Sequence, residues 1–560
     1  MYSPCRIAIG LLVVTISATA ASAQGDDVGS IEFPTSTHSA EAQQHFLRGV
    51  AILHSFGFEQ ALAEFQAAQE FDPDFAMAYW GETLSYNHPL FGGPIPDDAS
   101  PRAALKRLGA TPEARAGKAP TDREKGFLAA VEALWSEDGS YDERRVAYME
   151  AMRRLYDRYP DDDEIATFRA LSMLAGARAL GDQSLRLELQ AGAITLGVFG
   201  KNPDHPGAPH YTIHSFDDPL HAPLALPAAR RYAQIAPAVS HARHMPTHIF
   251  IQHGMWDLVS EHNQSAYEAA RALWTPGASV GDTVHSLDWG QYGDLQFGDY
   301  AKARTWIERL DQLIAESDGD GRAVGALPIL KARYVVETEE WHTAPITDDS
   351  SAHELLATGL SAVRTGDLAT AREAEAALAK RAANGDAQER IAHKEMAALV
   401  HATQGQADMA VATMDEALEI VAGLRPPRGP ASPVKEQLTI CSIFASHPAS
   451  LLILSATSCT GALRSVVICA TSSANGESDG NSVASSIMAF TSASVIGLTG
   501  AFSGCPEVKS LTIFRQRKGH NSTIRRSLSE TRRRSSYPFH RYNLSSRPVR
   551  TSSVGQWRDA

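Results

Sequence analysis

The feature that most limits what this chain can fold into is a spacing of small, aromatic and proline residues in AEAQQHFLRGVAILHSFGFEQALAEFQAAQEFDPDF, residues 40–75. Gly49, Ala61, Phe65, Ala68 and Pro73 stand where a helix-turn-helix repeat of about 34 residues needs them. A small residue at Ala61 lets the second helix lie against the first. Phe65 fills the groove between them, and Pro73 stops the second helix. The same device recurs more weakly as Gly254 with Ala266, Gly298 with Ala303, Gly359 and Gly366 with Ala371, and Gly405 with Ala410 and Ala417. Repeated together with helical apolar spacing, it predicts an all-α helix-turn-helix solenoid with no run of alternating strands.

These positions resemble the tetratricopeptide repeat (TPR). The block from His205 to Tyr267 is also similar to a group of exported bacterial TPR proteins, through HPGAPHYTIHSFDDP, HAPLAL, AARRYAQIAP and HMPTHIF followed by GMWD. The likeness runs from about Glu41 to Ala422. It implies an architecture and a His-rich signature, and it implies no reaction.

Composition divides the chain. Residues 1–23 read as a secretory signal peptide: Arg6, an apolar run from Ile7, then Ala21-Ser22-Ala23, with the run too short to span a bilayer. The expected location is periplasmic or secreted. An N-terminal TPR unit (24–86) precedes a Pro/Gly-rich insert (87–126), read as an irregular segment closed by a Thr121–Glu124 capping box. Helical repeats (127–200), a His-rich helical block (201–285) and C-terminal TPR units (286–425) follow. Residues 437–560 carry 25 serines, all the cysteines beyond Cys5 and a net charge of +9, against −24 for residues 24–436. That tail reads as disordered or as translation out of frame from near Val434, since a repeat array needs a capping helix there. So acidic a body is a poor match for nucleic acid or an anionic membrane.

Ten of the chain's 21 histidines lie between His205 and His285. A helix over Pro209–Phe216 would set His210 and His214 on one face, at the i, i+4 spacing that lets two imidazoles reach one ion. The general-base glutamate of HExxH is missing between them. His241, His244 and His248 repeat spacings of three and four, although Pro246 is expected to push Met245 out of helical angles. With no cysteine from Gln24 to Glu436, any metal there must be held by His, carboxylates or backbone oxygens, and a divalent transition metal (Zn, Cu or Fe) suits imidazole. The nominated ligands are His210, His214, His244 and His248, with Asp217 as a ligand or as the acceptor that orients one.

Two functions compete. The first is an exported TPR scaffold that binds a protein or peptide segment in a concave groove, with Tyr79, Trp80, Arg230, Arg243, Trp256 and Trp289 as candidate ligand-binding residues. The second is a metal-binding protein or metal-dependent enzyme using the His block. The repeats span the body and the histidines only one block, which places the scaffold first. A single core histidine is most often just a hydrogen-bonded packing residue.

Overall fold

The computed structural model of the chain describes residues 28–90, 98–425, 428–430, 516–517 and 520–521. Residues 1–27, which include the segment read as a signal peptide, and nearly all of the tail, with its cysteines, lie outside these. From 28 to 430 every regular element among the described residues is a helix. Gln516–Arg517 and His520–Asn521 pair as a two-residue antiparallel ladder within a separate unit, 497–560.

The founding repeat is α1 (Ala40–His54) and α2 (Phe58–Phe71). Ser39 caps α1 by accepting from the Ala42 N–H at 3.1 Å. Ala61, Phe65 and Ala68 are fully buried between the two helices, and a Cβ on Gly49 would meet the Phe65 ring at 2.9 Å. Glycine at 49 is therefore a packing requirement: only a missing side chain leaves room for that phenyl ring. Next come α3 (Ala76–Ser85), α4 (Ala99–Leu108), α5 (Pro112–Ala116) and α6 (Asp122–Leu134). From residue 98 on, the Pro/Gly-rich insert thus forms short helices despite its prolines. Pro112 occupies the first helical position of α5, where its missing N–H costs nothing. The Thr121–Glu124 capping box opens α6 as expected.

The array continues through α7 (Tyr141–Arg158), α8 (Asp163–Ala179), α9 (Arg186–Lys201), α10 (Gly207–Ser215), α11 (Ala222–Ile235), α12 (Ser240–His244), α13 (Pro246–Gln252) and α14 (Trp256–Leu273). It ends with α15 (Gly281–Phe297), α16 (Tyr300–Glu316), α17 (Gly321–Thr338), α18 (Ala352–Thr365), α19 (Leu368–Ala382), α20 (Ala387–Thr403) and α21 (Ala407–Ala422). Sequence neighbours pack on one another along the array, as a solenoid requires. The turn glycines Gly298, Gly366 and Gly405 take left-handed angles (φ 83°, 83° and 74°), closing one helix before the next begins.

One apolar core runs from Val28 to Tyr292, centred on Phe33, Phe46, Trp80, Phe127 and Phe168 with ring centroids 5.0–6.3 Å apart. Separate cores serve 280–330 and 332–417. The short helices α10, α12 and α13 lie among longer ones. α10 contacts α1, α8, α9 and α11, while α12 contacts α14 and α15. These short inner helices carry the histidines.

Candidate metal centre

Close helix approach brings the histidines together. Gly207 opens α10 against α1, where a Cβ would sit 2.5 Å from His54 Nδ1. This approach delivers His210 and His214, one turn apart, with their Nε2 atoms 3.1 Å from each other. His241 Nε2 reaches His210 Nε2 at 3.2 Å. Contrary to the expectation from Pro246, Met245 keeps helical angles (φ −53°, ψ −35°). Pro246 is the first residue of α13, where its own N–H is not needed, and the buried, packed Met245 overrides the usual bias before proline. α12 therefore runs into α13, and His244 Nε2 meets His248 Nε2 at 3.1 Å. His285, from α15, brings its ring within 4.3 Å of the His244 ring.

The result is two adjacent triads, His210–His214–His241 and His244–His248–His285. In each, one ligand atom per residue lies within 4.8 Å of the others. Two imidazole nitrogens bound tetrahedrally to one ion at about 2.0–2.1 Å sit about 3.3 Å apart. The pairs at 3.1–3.2 Å are close to that edge length.

The far side of each ring fixes its tautomer. His248 Nδ1–H donates to Asp217 Oδ2 at 2.7 Å. His244 Nδ1–H donates to Asn263 Oδ1 at 2.7 Å, and the amide cannot be reversed because Asn263 Nδ2 donates to the Val259 carbonyl at 2.8 Å. His210 Nδ1–H donates to the His54 carbonyl at 2.6 Å. In neutral imidazoles these bonds leave Nε2 of all three rings as bare acceptors. His244 and His248 then point lone pair at lone pair across 3.1 Å, an arrangement that wants a cation between them.

Of that pair, His244 is a poor bearer of a proton. Burial and the neighbouring rings hold the pKa values of His214, His241 and His244 well below 6.5. Burial, with smaller contributions from neighbouring charges, brings His210 to about 3 and His285 to about 4. Aromatic rings line the site, in which His210, His241 and His244 are buried and His214, His248 and His285 half-buried. The Phe56 ring stands 4.4 Å from His210 and 5.4 Å from His241, and Trp289 lies 4.3 Å from His248 and 4.9 Å from His244.

A third cluster, His54–Glu164–His205, has the same compactness and is fully buried. Its bonds close without an ion. His205 Nδ1 accepts from the Gly207 and Ala208 N–H groups, so its Nε2–H donates to Glu164 Oε1 at 3.1 Å. His54 Nε2–H donates to Glu164 Oε2 at 2.9 Å and its Nδ1 faces the Tyr211 hydroxyl at 3.1 Å. Burial pushes the Glu164 carboxyl up, but His205 and His54 outweigh it and hold it at about 2. The His54 carbonyl is also what orients His210, so this cluster stands directly behind the first triad.

The nominated residues divide. His210, His214, His244 and His248 do converge, with the His214 and His248 rings 6.0 Å apart, but they split between two triads instead of surrounding one ion. His241 and His285 complete the triads and were not nominated. His285 shares a helix face with Trp289 four residues on, a weak signal at best. Asp217 is not a triad ligand: it is buried one step back, where it orients His248. Trp80 is fully buried in the aromatic core and so cannot line a groove, while Tyr79 is buried and donates to the Pro73 carbonyl. Trp256 is buried edge-on to Tyr292. Trp289 is buried as the wall of the second triad, not as a groove surface. Arg243 spends its donors on the Pro237 carbonyl and Ser265. Arg230 is exposed, with its guanidinium against Met255 Sδ at 3.9 Å.

No family model matches the chain, and no curated protein matches it. Solved structures similar to it are helical-repeat proteins. The APC/C hetero-tetramer Cut9-Hcn1 is 12% identical over 72% of this chain and 76% of that one, with a TM-score of 0.33. Yeast Tom70 is 10% identical over 72% and 89%, with a TM-score of 0.31. The human IFIT1 dimer with PPP-AAAA is 11% identical over 69% and 92%, with a TM-score of 0.28. Superpositions this loose carry no argument beyond themselves; the chain's own helix pairs, with their buried Gly49–Phe65 and Ala61 contacts, do. The body is an all-helical repeat solenoid.

Proposed function

We propose that this protein is a helical-repeat metal-binding protein, with transition-metal ions held by His210, His214, His241, His244, His248 and His285. The observation that carries this reading is the opposition of His244 and His248. Both rings give their Nδ1–H to fixed acceptors, so the Nε2 lone pairs of buried His244 and half-buried His248 face one another at 3.1 Å. A buried acceptor left unsatisfied costs about 1–3 kcal/mol, and a shared ion removes that cost for both. Asp217 and Asn263 then act as the outer acceptors that fix ring orientation. Zinc, copper and iron all suit an all-imidazole set without thiolates. Three ligands per ion leave a coordination position open, which makes Lewis-acid chemistry available. We further propose a periplasmic or secreted location, supported by the leader-like pattern of residues 1–23.

The reading replaces groove binding as the leading function because the aromatics nominated for a groove are buried. Its test is metal content. The full chain, purified without chelator, is expected to carry near-stoichiometric zinc, copper or iron by inductively coupled plasma mass spectrometry, and His248→Ala with His210→Ala is expected to lose it. A folded, metal-free chain that also ignores added zinc at micromolar concentration would end this reading.

A further inference from the structure

The two triads are neighbours on one continuous scaffold. α12 and α13 contribute His241 to the first triad and His244 and His248 to the second, at i, i+3 and i+7 along nearly uninterrupted helix. The His241 and His244 rings are 6.1 Å apart, and those of His214 and His248 are 6.0 Å apart. Rings within one triad are separated by comparable distances, 4.8 Å for His210–His214 and 5.1 Å for His244–His248. No helix or apolar layer intervenes. Ions seated in the two triads would thus be near neighbours, as in two-metal sites with ions about 3.5–4 Å apart.

Charge then says what else must be present. All six candidate ligands are neutral imidazoles, so they bring no negative charge to two divalent ions. Two carboxylates act on the ligands: Asp217, through its bond to His248, and Asp288, whose charge reaches His285. The second oxygen of Asp217, Oδ1, is buried without a hydrogen-bond partner among the described residues. On the other side of the balance, the guanidinium of Arg178, which donates to the Leu90 carbonyl, acts through its charge on both His214 and Asp217. Two divalent ions held by neutral imidazoles would leave this pocket with excess positive charge, which an added anion would offset.

Resting on the metal-binding reading above, we propose that the two triads form a single dinuclear centre whose ions share a bridging anion. The anion is a small oxygen donor, water-derived at rest or the carboxylate or phosphate oxygen of a ligand, and the open coordination position of each ion faces it. His248, adjacent to His214 and oriented by Asp217, is the residue through which the halves meet.

The test uses copper(II), because a bridged copper pair couples its unpaired electrons and loses its paramagnetic signal. The full chain is loaded with copper(II), total copper is counted by mass spectrometry, and the signal is integrated by electron paramagnetic resonance. The expected result is about two copper ions per chain with most of the signal missing, as a bridged pair requires. In His285→Ala, copper falls by half and the remaining ion becomes fully visible. His241→Ala, which disables the other triad, does the same and stands in should His285→Ala fold poorly by circular dichroism. Inorganic phosphate is the anion probe: added to the wild type, it is expected to change the coupling, and in either variant it does not. Two ions with full signal would overturn the bridged pair while leaving metal binding intact. So would one ion in the wild type. No bound copper, zinc or iron at all would remove the metal-binding reading together with this one.

Discussion

Two compact clusters in this molecule, one fully buried and one half-buried, look alike and behave differently. His54–Glu164–His205 and His244–His248–His285 each gather three potential ligand atoms within 4.8 Å. In the first, every hydrogen has an acceptor and the carboxylate accepts from both imidazoles. In the second, Asp217 and Asn263 take the hydrogens on the outside and leave acceptors facing acceptors inside. The lesson is that proximity of ligating residues decides little. What distinguishes a structural network from an ion site is where the ring protons must be once each outer partner is assigned.

The strongest way to break this comparison is to remove Glu164. It accepts from two buried histidines, so Glu164→Ala leaves two donors unpaired in the core. The expected loss is about 2–6 kcal/mol of folding stability, about 1–3 for each buried donor left unsatisfied. The loss should be seen in urea denaturation of the metal-free protein. His285→Ala, in the same assay, is expected to cost far less, because it removes a half-buried ring and strands no buried charge. Should His285→Ala prove the more damaging of the two without metal, the distinction between a closed network and an open one collapses.

A smaller change sharpens the second cluster from outside. Asp217→Asn keeps an oxygen beside His248 Nδ1 but removes the negative charge that strengthens the ring as a ligand. Affinity for zinc, measured by competition with a chromophoric chelator, is expected to fall about 10–100-fold, as for other residues that orient metal-binding histidines. Denaturation of the metal-free chain should barely change. An unaltered affinity would mean that Asp217 does not orient His248, and the tautomer argument would lose one of its two anchors.

How much of this could be read beforehand depends on the length scale of each signal. The repeats were legible because Gly49, Ala61, Phe65 and Pro73 act within one helix pair, and local packing leaves a local spacing. His210 with His214, and His244 with His248, were legible for the same reason: one helical turn links them. The division into two triads was not. It depends on His241 crossing to His210, 31 residues away, and on α15 delivering His285, and neither leaves a trace in spacing. His54 and Glu164 are farther still, at 156 and 46 residues from His210 in sequence. The aromatics failed in the opposite sense. Trp80 and Trp256 look like surface anchors in composition, but a solenoid core needs large side chains too, and only burial separates the two uses. Proline misled at 246, because a first-turn proline is compatible with the helix it seems to forbid.

The smallest expected effect concerns another pair of buried carboxylates, Glu164 and Glu395. Both are almost completely shielded from solvent. Glu164 has two histidine donors, whereas neither oxygen of Glu395 has a hydrogen-bond partner among the described residues. Burial alone accordingly pushes the Glu395 carboxyl well above 4.5, the reverse of Glu164. For an acid raised in the folded state, the sign of the pH dependence follows directly. Below about pH 4.5 both folded and unfolded chains hold the proton and there is no penalty. As pH rises past that point the unfolded chain releases its proton first, so stability falls until the folded carboxyl also ionises. Glu395→Leu removes the ionisable group and adds apolar surface to the core formed by α18, α20 and α21. It is expected to stabilise the protein by about 1–3 kcal/mol at pH 7.5, the cost of an unsatisfied buried polar group. The gain should shrink at pH 4.5, as followed by paired urea titrations. A gain independent of pH would assign the effect to packing alone, and a loss of stability at pH 7.5 would mean that Glu395 has a partner after all.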